Sequence, residues 1–526
     1  MRIAISLAAG LGLLSLSHAQ SSTRQDVLQT LGLSQGQVLR LETPAAGEGS
    51  FTVPIDFNGA ADLIELHPHS IRSASHFQVL EHLDDGSYVR IPDPVARTYR
   101  GTLVGHPGSV VAGSLLDDGL HVRIRLAEGE DWWLEPVASR VPGASLEAHV
   151  LYSSSDVLDR GHRCGADLLS DNQGKNLGGG GGEIYGPGSS VEIAELALDC
   201  DWEYYNIWGS SSGTVDAVEL VIGTMNPQYE YEVDITHELT TIIVRTSSND
   251  PYTTSDPGNL LNQFRSHWNS TKGGVTRDVA ELFTGRNLDG SVIGIAWLSV
   301  VCNTGWAYSV VQHLSALSSR TDLSAHELGH NWSSGHCSCS GYTMNSSLTS
   351  ANRFTVGSEN AIRGYANGVG CLGNSSGTPI FEDGFESGNI TAGGWTKANE
   401  RPKARKQARR SGNYGCNLKR TTWIEKEVST LGYSQVSLVW TWRTKQFEAG
   451  ASEEIFAEWS TDGGATWNLI DSHRGPQFQN EDHVLPAAAA GKPDLKIRFR
   501  TNATGLNSNT GKKKRGHVDV VRIIGD

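Results

Sequence analysis

His326-Glu327-Leu328-Gly329-His330, with His336 six residues further on, decides how this 526-residue chain is read. Residues four apart on a helix project from one face, so His326 and His330 can offer ring nitrogens to one metal ion. Glu327 is close enough to handle a proton of a water held there, and it does not compete as a ligand. His336 requires the chain to turn back after the helix. Three histidines leave one tetrahedral position of a zinc ion open, the pattern of a catalytic rather than a structural zinc. Two stray histidines on a helix surface are the bland alternative, and the spacing of the third speaks against it.

The run His326 to His336 resembles the zinc signature of the metzincin metalloproteases, H-E-x-x-H-x-x-G-x-x-H with a later Met-turn, and the wording HELGHN is closest to the reprolysin and ADAM branch. Met344, in Tyr342-Thr343-Met344-Asn345, stands where that family has the methionine beneath its metal. Gly294-Ile295-Ala296-Trp297-Leu298, then Cys302, resembles the family's substrate-binding edge strand. The resemblance implies one catalytic Zn2+, Glu327 as general base, His326, His330 and His336 as ligands, and a Cys302–Cys371 bridge. Two positions depart from the family. Ser333 replaces a glycine whose backbone conformation costs other residues roughly 1 kcal/mol, and Cys337 stands where an Asp is common.

Arg2, the apolar run Ile3 to Leu16 and Ser17-His18-Ala19 read as a secretory leader over 1–19, too short to span a bilayer. No later segment is long and apolar enough to cross, so a secreted protein is expected. At 38% hydrophobic and 19% charged residues the chain should fold rather than remain disordered, and 60 glycines favour turns and β-structure. Charge is uneven. Residues 377–526 hold 22 Lys+Arg and 17 Asp+Glu, a net +5, whereas the remainder is at −20, so the two parts should meet different partners.

Seven cysteines leave one over in an exported protein. Cys164, in His162-Arg163-Cys164-Gly165, precedes the glycine run Gly178–Gly182 and resembles the cysteine switch of metalloprotease propeptides. A thiolate there would occupy the open zinc position and keep a zymogen silent. A disulfide partner or an inert buried cysteine is the other reading. Cys200, Cys337, Cys339 and Cys416 are left unpaired by the sequence.

The expected organisation is multidomain. A β-rich prodomain spans 20–165, with strands at Tyr99–Gly105 and Val110–Leu115, and a Gly-rich activation linker spans 166–190. An α/β metzincin-like catalytic domain covers 191–375, a twisted mixed sheet with strands at Val191–Leu198, Asp234–Thr246 and Ser291–Val300. Its helices fall at Thr214–Thr224 and Asn259–Trp268, and the zinc-binding helix starts after Thr321. His237-Glu238 reads as ordinary strand. Residues 377–526 read as an all-β, jelly-roll-like sandwich, since Val436, Leu438, Trp440 and Trp442 alternate onto one face. Ser460–Trp467 resembles an Asp-box, read as turn chemistry. The basic clusters Arg401–Arg410 and Lys512–Arg515 are either a solvated face or a docking site for an acidic polymer or cell-surface component.

The reading is a secreted zinc endopeptidase made as a latent zymogen and acting on proteins or peptides. The alternative is a non-catalytic adhesion protein with a metzincin-like domain, which would have no need of Glu327. A carbohydrate-active enzyme lacks the carboxylate pair such chemistry requires. Nothing in the sequence supports a calcium site, a nucleic-acid target or a membrane span.

Overall fold

A computed structural model describes residues 24–44, 49–73, 76–127, 129–169, 191–374, 378–410, 414–433, 435–448 and 452–525. The leader expected at 1–19 and most of the linker expected at 166–190 lie outside the described residues. The chain is multidomain and β-rich with few helices.

The central sheet is mixed. Its spatial order is Arg163–Cys164, Val292–Ala296, Tyr308–Gln312, Val279–Thr284, Glu192–Cys200, Ile235–Arg245, Gln78–His82 and Tyr88–Ile91. Glu192–Cys200 runs parallel to both of its long neighbours, so each connection has to cross over the sheet on a helix. Ser211–Val233 is the first crossover, capped by the Ser210 hydroxyl and buried on nearly every side. Pro257–Thr271 is the second. Asp256 caps it, Pro257 occupies its first turn, and Leu260, Leu261, Phe264 and Trp268 form its buried stripe. Burying each of those four side chains contributes about 1.5–3 kcal/mol. The Trp268 indole N–H donates to Asp199 at 2.7 Å, and Arg245 grips the same carboxylate at 2.9 and 2.6 Å, so this buried charge is paired. His237 lies in strand Ile235–Arg245 as expected, fully buried between Asn226 and Trp332.

The third long helix carries the histidine motif and runs Leu317–Asn331, one turn earlier than the start expected after Thr321. Ala316, its N-cap, has no capping side chain. The Leu317 N–H donates instead to Glu135 Oε1 at 2.8 Å, from a strand 182 residues away in sequence. A cap supplied from so far away leaves no local signal.

Glu135 belongs to a second, antiparallel sheet ordered 37–40, 148–153, 131–136, 119–125, 110–116, 98–103, 60–68 and 51–57. The N-terminal region is therefore β-rich, but it is not one sheet. Gln78–His82 pairs in parallel with Ile235–Arg245, and Val79 is fully buried in the central core. The last two sheets pack face to face over Trp440, Trp442, Ile424, Ile497 and Phe499. The Asp-box segment forms the turn between strands Ile455–Ser460 and Asn468–His473, where Asp462 accepts from the Thr466 backbone and hydroxyl. The basic clusters are partly consumed inside the protein. Arg410 donates to Tyr231 O and Asp234 of the central unit, and Lys514 is buried against Glu453.

Glu281, on strand Val279–Thr284, is fully buried and accepts from Ser309 at 3.1 Å and Ser324 at 2.6 Å. Burial pushes its pKa from 4.5 up to about 8. An acid raised in this way binds more protons folded than unfolded, so its contribution to stability declines as pH rises between those values. Glu281→Gln keeps one acceptor oxygen, turns the other contact into an N–H donor to a serine hydroxyl, and removes the titration. Thermal unfolding between about pH 5 and pH 8 should show a smaller loss of Tm in the variant than in the parent; equal slopes would refute the assignment.

Candidate metal centre

The motif helix places His326, Glu327 and His330 on its buried face, and the turn after Asn331 brings His336 back to them. Ser333 makes that turn with φ +83°, the conformation in which glycine is at ease. Its N–H donates to His330 O at 2.8 Å, and Ser299 Oγ donates to its hydroxyl at 2.8 Å. The left-handed backbone is thus kept without the glycine, at a cost of roughly 1 kcal/mol.

The three Nε2 atoms converge. His326 and His330 are 3.1 Å apart, and His336 lies 3.2 Å from each. Two rings have their other nitrogen on a backbone carbonyl: His326 Nδ1 on Thr343 O at 2.6 Å and His330 Nδ1 on Ser334 O at 2.7 Å. His336 Nδ1 lies 3.1 Å from Asp167 Oδ2. A carbonyl cannot donate, so Nδ1 carries the proton and the Nε2 lone pairs face one another. Burial, with repulsion from His336 next, lowers His326 to about 4, and burial with repulsion from His326 holds His330 well below the usual imidazole range. Both rings are therefore neutral near pH 7, the form that ligates metal.

Cys164 completes the cluster. Its Sγ lies 3.5 Å from His330 Nε2, and its ligand atom lies within 4.8 Å of all three histidine donors. With Zn–N near 2.0–2.1 Å and Zn–S near 2.3 Å, tetrahedral corners fall about 3.3 Å apart for N···N and about 3.6 Å for N···S. The three nitrogens match these corners, and the sulfur does so against His330 Nε2.

Glu327 is fully buried beside them. Oε2 accepts from the Cys164 thiol at 3.4 Å, and Oε1 has no partner among the described residues. Burial pushes its carboxyl well above the usual range. Met344 is fully buried under the helix, and a Cβ at Gly329 would come within 2.6 Å of its sulfur. A side chain at Gly329 would force Met344 to shift.

Residues 163–165 lie along Val292–Ala296. Arg163 N donates to Ser291 O and Gly165 N to Gly294 O, both at 2.8 Å, while Cys164 N donates to Ser346 O at 3.2 Å on the opposite side. The segment thus occupies the edge strand and crosses the imidazole cluster. Cys302 and Cys371 are bridged, and the sulfurs of Cys337 and Cys339 face one another across one residue. Cys200 and Cys416 are buried and free.

Sequence reasoning missed the residues that hold the ligands in place. Thr343 presents its carbonyl to His326 because its hydroxyl is tied to Asp322 at 2.7 Å. Gly294 leaves room for Glu327, since a Cβ there would collide with that carboxylate and come within 2.8 Å of Leu323. Asp167, three residues after Cys164, could have been picked out by its place beside the switch-like cysteine. Backbone carbonyls carry no residue-type signal.

Among solved structures the chain is similar to metalloproteinase-II from Bacteroides fragilis at 11% identity, over 61% of this chain and 92% of that one, with a TM-score of 0.35. It is also similar to TmCBM61 in complex with β-1,4-galactotriose at 16% identity, over 27% of this chain and 94% of that one, with a TM-score of 0.21. At such TM-scores neither likeness bears on the site. Residues 191–377, the segment that holds the histidine cluster, match the family model of metallo-peptidase family M12.

Proposed function

We propose that the chain is a secreted zinc endopeptidase made as a latent precursor, with Cys164 closing the metal site until the N-terminal segment is cut. The observation that carries this reading is the convergence of three imidazoles and a cysteine sulfur beside a buried carboxylate whose Oε1 has no partner among the described residues. An adhesion module would have no use for Glu327.

His326, His330 and His336 would hold the ion, and zinc bound there supplies Lewis acidity to a carbonyl and to water. The remaining chemistry belongs to the chain. Glu327 accepts the proton of the attacking water and returns it to the leaving amine. Once residues 163–165 are displaced, the carbonyls of Ser291 and Gly294 are free to hold an extended peptide in register with Glu327. No described helix is long and apolar enough to cross a membrane. Proteins or peptides are the proposed substrates. The exposed remainder of the basic clusters, including Arg401, Lys403, Lys512 and Lys513, is proposed to meet an acidic polymer.

Glu327→Ala should leave about one zinc per chain and reduce peptide hydrolysis by at least about a hundredfold, and full activity would end the proposal. His336→Ala should lose metal, measured by elemental analysis of the purified protein. Gly294→Ala pushes the Glu327 carboxylate out of place. It should cost about a hundredfold in kcat while metal content and circular dichroism stay as in the parent. Cys164→Ser should raise the activity of the uncut precursor or hasten its processing. Equal latency in both forms would mean that the N-terminal segment blocks the cleft by bulk alone.

A further inference from the structure

We infer that the N-terminal segment, residues 24 to about 160, is a lasting partner of the metallopeptidase domain and stays bound after the chain is cut. Only the short run through Cys164 has to leave the site. The inference rests on the latent-precursor reading for the cut, but its evidence lies elsewhere on the molecule.

Three features carry it. The first is a shared sheet. Gln78–His82 pairs with Thr241–Arg245 over five residues, Ser73 N and Leu239 N exchange hydrogen bonds with Leu239 O and Ile71 O, and Val79 has no exposure. Losing this segment would strip a long central strand, Ile235–Arg245, of its outer neighbour and bare its backbone groups.

The second is charge. Helix Ser211–Val233 presents Asp216, Glu219, Glu230 and Glu232, and the N-terminal segment brings an arginine to each. Arg97 meets Asp216 at 3.3 Å, Arg72 grips Glu219 at 2.5 and 2.9 Å, Arg100 grips Glu230 at 2.7 and 3.3 Å, and Arg125 pairs with Glu232. Glu219 and Glu232 are buried, as is Arg123, which donates to Thr224 O and Asn352 O at 3.0 and 2.7 Å. Separating buried partners leaves uncompensated charge on both faces, which is far costlier than breaking exposed pairs. The third is the cap. Glu135 holds the first N–H of the motif helix, and Arg140 donates to Ser315 O at 2.7 Å just before it.

By contrast the segment around Cys164 is lightly held. Residues 158–161 are exposed, and the strand Arg163–Cys164 has only two residues. Release of the sulfur can therefore proceed while the arginine face stays closed.

The test is to place a specific-protease recognition sequence within residues 170–190 of the full chain, cut it, and run the product on a sizing column. Co-elution of both fragments is expected, including at about 1 M salt, because buried pairs are weakly screened. Separation of the fragments overturns the inference, whatever the state of the remainder. In the cut chain, Arg72→Ala combined with Arg100→Ala should release the N-terminal fragment at a lower urea concentration. An unchanged urea dependence overturns the role given to those pairs. The readout needs no hydrolysis, so co-elution without peptidase activity refutes the enzyme reading alone, and activity with separated fragments refutes this one alone.

Discussion

Three imidazole Nε2 atoms converge within 3.1–3.2 Å of one another, a spacing that a shared cation would hold together. Most of what surrounds the site serves that constraint. Thr343 and Ser334 carbonyls keep the protons on Nδ1 of His326 and His330. Asp322 holds Thr343, Met344 supports the helix at the one glycine that admits its sulfur, and Ser333 takes a left-handed backbone so that His336 can return. Each is a small commitment. Together they fix the rings before any ligand arrives, which spares the ordering cost that a flexible site would incur.

The neighbouring carboxylate obeys a different logic. Glu327 shares the helix with two of the histidines but faces Cys164 and the edge strand, and one oxygen has no partner among the described residues. A buried, half-satisfied carboxyl is destabilising in itself. Its persistence next to an imidazole cluster is the sort of local compromise expected where chemistry, rather than folding, sets the requirement.

Much of this was legible in the sequence. Helical spacing placed His326 and His330 together, the apolar stripe of Leu260, Leu261, Phe264 and Trp268 located a crossover helix, and alternation through Val436–Trp442 located a sandwich strand. The resemblance to a family supplied Met344 and the Cys302–Cys371 pairing, and the structure has both in those places. What was not legible depends on partners remote in sequence. The motif helix begins at Leu317 because of Glu135, strand Gln78–His82 joins the central sheet rather than its neighbours in sequence, and Arg410 and Lys514 spend their charge internally. A pattern of residue types reports periodicity and local geometry. It does not report which of two sheets a five-residue strand will join.

Helix Ser211–Val233 has a further consequence. The N-terminal sheet clamps its acidic side, its Thr224 hydroxyl meets Thr321 of the motif helix at 2.8 Å, and its C-cap, Asp234, takes an arginine from the C-terminal sandwich. Three units that all lean on one rod cannot melt independently. Loosening any of them uncovers groups the others rely on, so their free energies of unfolding are coupled rather than additive. The chain therefore looks like a string of separable modules in its sequence, yet its structure ties those modules to a common spine.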